Sequence, residues 1–147
     1  MSSAKRLVSL PLALALAAAV SLQGPPTRVL DATNHHLGND NTPEWGEAPA
    51  APEGKRLEIA FKAKKRADES VLWITQRSVD NTWRLKLNGR DLGLLNTNNE
   101  PADHWYPIPG GTLKSGDNLL EIDPEGDPND DVILGSSPSN RALKYYY

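Results

Sequence analysis

The distribution of apolar and turn-forming residues constrains the fold of this chain more than any other feature of its sequence. From residue 55 onwards, short apolar or alternating runs are separated by turn residues at intervals of about 8–12 positions. No window between residues 25 and 147 keeps a helical period for three turns. The pattern therefore predicts an all-β domain, a jelly-roll β-sandwich of about eight short antiparallel strands.

Three segments carry most of this prediction. Residues 57–61 (LEIAF) alternate between apolar and polar or small side chains, as in a strand with one buried face. Residues 70–77 (SVLWITQR) are apolar on both faces at their centre, which predicts a central strand. Residues 83–87 (WRLKL) give one apolar face and run into Asn88-Gly89, a dipeptide typical of a type I′ hairpin turn.

The N-terminal segment differs from the rest of the chain. Lys5 and Arg6 precede an apolar run at 7–20, and small and polar residues follow it. These are the three parts of a secretory signal peptide, and the run is shorter than the roughly 20 apolar residues that span a bilayer. We expect residues 1–24 to be a cleaved signal and the mature protein to be secreted or periplasmic. The alternatives are a buried helix or a retained membrane anchor.

Charge and cysteine content exclude several classes of function. Removing Lys5 and Arg6, with no acidic residue, would change the formal charge from −3 to −5. An acidic domain is a poor candidate for binding nucleic acid or anionic lipid, so we expect neither as a partner after signal cleavage. The chain has no cysteine, which excludes disulfides, haem attachment and cysteine-ligated zinc.

The mature chain divides into three regions. Residues 25–54 are expected to form a first short strand and a long loop rich in proline and asparagine, and residues 55–135 the body of the sandwich. Residues 136–147 are expected to be a disordered tail, because a polar run ends there on three adjacent tyrosines whose rings would face both sides of any strand. Such an ending is consistent with a truncated accessory domain of a larger secreted protein.

Two segments resemble a known family. They are residues 83–93 (WRLKLNGRDLG) and residues 111–122 (GTLKSGDNLLEI). Both resemble galactose-binding-domain-like jelly rolls, which include carbohydrate-binding modules and the sugar-binding domains of secreted β-glycosidases. The resemblance implies a β-sandwich and carbohydrate as a partner. It concerns the fold more than the ligand, because sandwiches of this kind carry many functions.

Aromatic residues decide where a sugar could bind, because a sugar packs its C–H face on an exposed ring. Trp73 and Trp83 lie in strand periods, so we expect both in the core. The candidate ligand-binding residues lie in loop-like sequence, and the alternative is that their rings cover one end of the sandwich. They are Trp105, Tyr106, Asp103, His104 and Trp45.

The acidic segment 123–131 (DPEGDPNDD) is a candidate calcium site. Its oxygen ligands stand at alternate positions, and Asp123, Asp127 and Asp131 would be the ligands. The segment is not an EF-hand, since Pro128 stands where the glycine is required. The family resemblance also implies a structural calcium, which would be the only cofactor. The alternative is a solvated turn.

The remaining polar motifs indicate no catalysis. His35 and His36 are adjacent and cannot easily bind one metal ion together, so we expect them to be solvated loop residues. No sequence context for a nucleophile with its base, or for a phosphate-binding loop, is present. The prediction is a non-catalytic binding module for carbohydrate. The alternative is a structural or protein-interaction module.

Overall fold

The computed structural model of the chain describes residues 27–39, 49, 51–126, 132–134 and 143–146. These residues form strands, turns and loops and no helix, so none of them belongs to a helix that could cross a membrane. The expected signal at residues 1–24 lies outside the described residues. The strands are β1 (Thr27–Asp31), β2 (His35–Leu37), β3 (Leu57–Ala63), β4 (Ser70–Arg77), β5 (Trp83–Leu87), β6 (Arg90–Leu94), β7 (Ala102–Ile108), β8 (Gly116–Pro124), β9 (Val132–Leu134) and β10 (Leu143–Tyr146).

The strands form two antiparallel sheets. We call the six-stranded one sheet A; it has the order β1-β10-β4-β9-β2, with β7 paired to the other edge of β4. Both β10 and β9 pair with the same edge of β4, one with its first half and the other with its last residues. Sheet B has the order β3-β8-β5-β6. The domain is therefore all-β, as predicted, with β7 as an edge strand of sheet A.

The inner faces of the two sheets share one apolar core. The alternating residues of β3, Leu57, Ile59 and Phe61, are buried, while the polar residues between them are exposed. Trp83 is fully buried at the start of β5, which confirms its predicted place in the core. Burial of apolar area on both inner faces is what holds two such sheets together.

The Asn88-Gly89 turn has the backbone that the sequence predicts. The φ angles of its two residues are 54° and 75°, as a type I′ turn requires. The Asn88 side chain donates from Nδ2 to the Thr112 carbonyl at 2.9 Å and to Asn118 Oδ1 at 2.8 Å. Its Oδ1 accepts the backbone N–H of Leu119 at 3.0 Å. The two segments that carry the family resemblance are thus bonded to each other.

The C-terminal tail differs from the prediction where the structure describes it. Residues 143–146 form β10, which lies between β1 and β4 and pairs with both, instead of being disordered. The tail lacks apolar alternation, so its sequence pattern does not predict a strand. Its strand formation follows instead from backbone pairing with two neighbours and from the high strand propensity of tyrosine.

Candidate functional site

The predicted ligand-binding cluster lies on strand β7 and not in a loop. Successive side chains of a strand point to opposite faces of the sheet, and β7 follows this rule. Trp105 is 60% exposed on the outer face, whereas its neighbour Tyr106 is 4% exposed and belongs to the core. Asp103 shares the outer face with Trp105, and His104 shares the inner side with Tyr106. The strand therefore divides the four predicted residues into two pairs.

Trp73 is the outer-face partner of Trp105. The two residues stand directly opposite each other in the β4–β7 pair, with ring centroids 5.9 Å apart and ring planes inclined by 32°. Trp73 is half-buried beside the exposed ring of Trp105, so the prediction that it lies in the core is wrong. The strand β4 is apolar on both faces because its inner residues pack in the core while Trp73 packs against Trp105 outside.

A polar pair lies next to the two tryptophans. Thr75 stands opposite Asp103 in the same strand pair, and its hydroxyl donates to Asp103 Oδ1 at 2.8 Å. Thr75 is 5% exposed and Asp103 is partly exposed. The hydrogen bond fixes the direction of the carboxylate beside the aromatic rings. A fixed carboxylate can accept hydrogen bonds from hydroxyl groups of a ligand.

The next cross-strand pair extends the apolar area in the other direction. Pro107 is exposed and stands opposite Val71, which is partly exposed. An outer sheet face is usually polar where it meets water, whereas this one exposes the apolar side chains of Trp105, Pro107 and Val71 beside the polar pair. We call this surface the outer platform. It comprises Trp73, Trp105, Val71, Pro107, Thr75 and Asp103.

The outer face of sheet B has the opposite character. Lys62 of β3 lies 2.7 Å from Asp117 of β8, and Arg84 of β5 pairs with both Asp91 and Glu125. These exposed pairs contribute little to stability but keep this face hydrated. The two outer faces therefore differ in chemistry, and the exposed tryptophan lies on the one that carries apolar side chains.

Two inward-facing residues of β7, His104 and Tyr106, hold in place the strand that carries Trp105. The Tyr106 hydroxyl donates to Gln76 Oε1 at 2.7 Å and accepts the backbone N–H of Asn96 at 3.1 Å. His104 Nδ1 lies 2.9 Å from the Asn96 side-chain nitrogen. Burial raises the pKa of Tyr106 to about 12. Burial also lowers the pKa of His104, and the negative charge of Asp103 offsets part of that decrease. Tyr106 thus links β7 to β4 and to Asn96, and His104 links β7 to Asn96; both side chains lie on the side of the sheet opposite to the platform.

The candidate calcium ligands are only partly described. Asp123 is 8% exposed on β8, and its two carboxylate oxygens pair with Arg56 and Lys86, the latter at 3.2 Å. Asp127 and Asp131 lie outside the described residues, as does Trp45. In the part of the chain that the structure covers, no cluster of three or more acidic or histidine side chains could hold a metal ion. Asp123 is thus paired with two basic side chains, and calcium binding by the three residues stays a prediction.

The adjacent histidines are strand residues and not solvated loop residues. They form part of β2, where His36 is fully buried with Nδ1 2.9 Å from the Pro49 carbonyl. His35 Nδ1 lies 2.9 Å from Glu53 Oε2, and its Nε2 lies 3.3 Å from Asp31 Oδ2. The sequence pattern missed this because three residues are too few to show a strand period.

No family model and no curated protein matches the chain. Among solved structures, it is similar to the CBM36-1 domain of a multidomain xylanase from the hindgut metagenome of Trinervitermes trinervoides. The match covers 71% of this chain and 98% of that domain, with 14% sequence identity and a TM-score of 0.36.

Proposed function

We propose that this protein is a non-catalytic binding module whose outer platform binds carbohydrate. The observation that carries the proposal is the pair formed by Trp105, exposed on a sheet face, and Trp73, packed at its side. A large ring exposed on a strand costs hydration free energy, which a ligand that covers the ring would recover. A sugar has the matching chemistry, because one face of its ring is lined with C–H groups.

Thr75 and Asp103 add a hydrogen-bonding site that the tryptophan rings do not provide. Tryptophan faces bind the apolar side of many molecules, so stacking alone does not select a sugar. Asp103, fixed by the hydrogen bond from Thr75, lies two residues from Trp105 on the same face of β7. A sugar stacked on Trp105 would bring its hydroxyl groups within reach of this carboxylate. The combination of ring face and fixed acceptor favours a polyhydroxylated ligand over a purely apolar one.

The proposal includes export of the protein. It rests on the basic residues Lys5 and Arg6, the apolar run at 7–20 and the small residues after it. Mass spectrometry of the protein from its native host should find an N-terminus between residues 20 and 26. Recovery of the intact chain from the cytosol alone would contradict this part of the proposal.

The binding test compares two exposed apolar side chains on opposite faces. A glycan array identifies a ligand, and calorimetry then measures its affinity for the parent, for Trp105→Ala and for Leu94→Ala. We expect Trp105→Ala to lose at least about tenfold in affinity, as a central aromatic contact does. Leu94 is 42% exposed on strand β6 of sheet B, so its variant should bind as the parent does.

Two results would contradict carbohydrate binding at the platform. Equal losses of affinity in both variants would mean that the array signal reflects non-specific binding to exposed apolar surface. The second result has two parts: the parent binds no glycan, and it captures a protein that Trp105→Ala no longer retains. This result would instead favour the protein-interaction module.

A further inference from the structure

The outer platform continues across sheet A as a row of residues in cross-strand register. Trp105 of β7 stands opposite Trp73 of β4, Trp73 stands opposite Lys144 of β10, and Lys144 stands opposite Val29 of β1. Residues directly opposite each other in antiparallel pairs share a face of the sheet. Val29 is 48% exposed, whereas the next residue, Leu30, packs against the core. The row therefore has exposed apolar side chains at both of its ends.

The length of this row exceeds that of one sugar ring. Neighbouring strands lie about 4.8 Å apart, so three intervals give roughly 14 Å between the Trp105 and Val29 positions. A monosaccharide stacked on Trp105 would leave Val29 in water. A chain of several sugar units that crosses the strands would cover both ends of the row.

The shape of the surface selects the kind of chain. Trp105, Trp73 and Val29 lie on the outer face of sheet A, where they meet the broad side of a ligand and not its end group. A chain whose glycosidic bonds are all equatorial, of the cellulose kind, is extended and ribbon-like and can lie along such a row. An axially linked chain of the amylose kind coils and leaves the surface after one or two units.

We infer that the ligand is an extended, equatorially linked polysaccharide, bound by internal units that run across the strands from Trp105 to Val29. This inference rests on the proposed function, since it names the ligand class and its direction at the same platform. According to this inference, Val29 contacts only ligands that are long enough to reach β1 from Trp105.

The test is a series of cello-oligosaccharides from the monosaccharide to the hexasaccharide, with malto-oligosaccharides of the same lengths as controls. Calorimetry measures the affinity of each for the parent, Trp105→Ala, Val29→Ser and Val29→Trp. For the parent we expect affinity to rise with the length of the cello-oligosaccharide until the row is covered and then to stay constant. The malto-oligosaccharides should show no such rise.

The Val29 variants separate the inference from a general loss of fold or binding. Val29→Ser should weaken binding of the longest cello-oligosaccharides by about threefold, because a half-exposed valine buries limited area, and should leave the disaccharide unchanged. Val29→Trp should strengthen binding of the long ligands only. Trp105→Ala should weaken binding at every length.

The outcomes distinguish two kinds of failure. Binding that depends on Trp105 but is independent of chain length, or that both Val29 variants leave unchanged at every length, would overturn the direction across the strands and preserve the platform. A preference for malto-oligosaccharides would overturn the ligand class. Absence of binding to any sugar by the parent would overturn the proposed function and this inference together.

Discussion

Replacing Tyr106 with phenylalanine tests whether β7 is a strand with one inner and one outer face. The change removes only the hydroxyl group, which donates to Gln76 Oε1 at 2.7 Å and accepts the Asn96 N–H at 3.1 Å. Gln76 is 1% exposed, so its oxygen would lose a donor that water cannot replace. Asn96 is exposed, and its amide can bond to water instead.

The expected loss therefore comes from one buried acceptor. Leaving such a group unsatisfied costs about 1–3 kcal/mol of unfolding free energy. For a domain of this size each kcal/mol corresponds to roughly 4 °C in Tm, so the variant should melt roughly 4–12 °C below the parent. Urea denaturation followed by tryptophan fluorescence gives the free energy, and calorimetry gives Tm.

The matched control is Trp105→Phe, one position away on the outer face. Because Trp105 is 60% exposed, its replacement should change Tm by no more than about 1–2 °C. If Trp105→Phe lowered Tm as much as Tyr106→Phe, or if Tyr106→Phe melted with the parent, the assignment of the two faces would be refuted.

The comparison of the parent with Tyr106→Phe also predicts how stability changes with pH. Burial raises the pKa of Tyr106 from 10.0 to about 12, so the folded protein keeps this proton more tightly than the unfolded chain does. Its contribution to stability is fully present below pH 10 and is lost as the pH rises towards 12. The stability difference between the parent and Tyr106→Phe should therefore narrow over this range.

Three further changes test the core, a close approach and the tail. Trp83→Ala should cost about 3–5 kcal/mol in urea denaturation, because the indole is fully buried; a loss below about 1 kcal/mol would contradict its place in the core. Gly110→Ala should destabilise the domain, since an added Cβ would clash with the backbone oxygen of Ala67; an unchanged Tm would show that the loop can move aside. Deleting residues 143–147 removes β10 from between β1 and β4 and should lower the stability by more than about 2 kcal/mol; a melt like that of the parent would mean that these residues do not pair in solution.

The sequence predicted those parts of the fold in which local pattern and burial agree. Strand β4 has the predicted bounds, and the Asn88-Gly89 turn has the predicted backbone, because period and turn chemistry are local properties. β10 was not predicted, since its place depends on pairing with two strands distant in the chain. Strand pairing of this kind cannot be read from a local window.

The candidate site was predicted in part for the same reason. The exposed Trp105 and its neighbour Asp103 were identified from their sequence context. Tyr106 was included because the segment looked like a loop, in which no alternation separates adjacent side chains. Trp73 was placed in the core because an apolar residue in an apolar strand gives no sign of which face it occupies. Only the cross-strand register with Trp105 shows that it lies outside.

The bonding of Asn88 also bears on how this protein ages. An asparagine followed by glycine is prone to deamidation, in which the glycine nitrogen attacks the side-chain amide carbon and ammonia leaves. Here the amide of Asn88 is held from both ends by Thr112, Asn118 and Leu119, which restricts the side-chain rotation that the attack needs. Chemical damage at this dipeptide should therefore occur mainly in molecules that have unfolded. The rate of deamidation at this hairpin is then set by the stability of the whole sandwich.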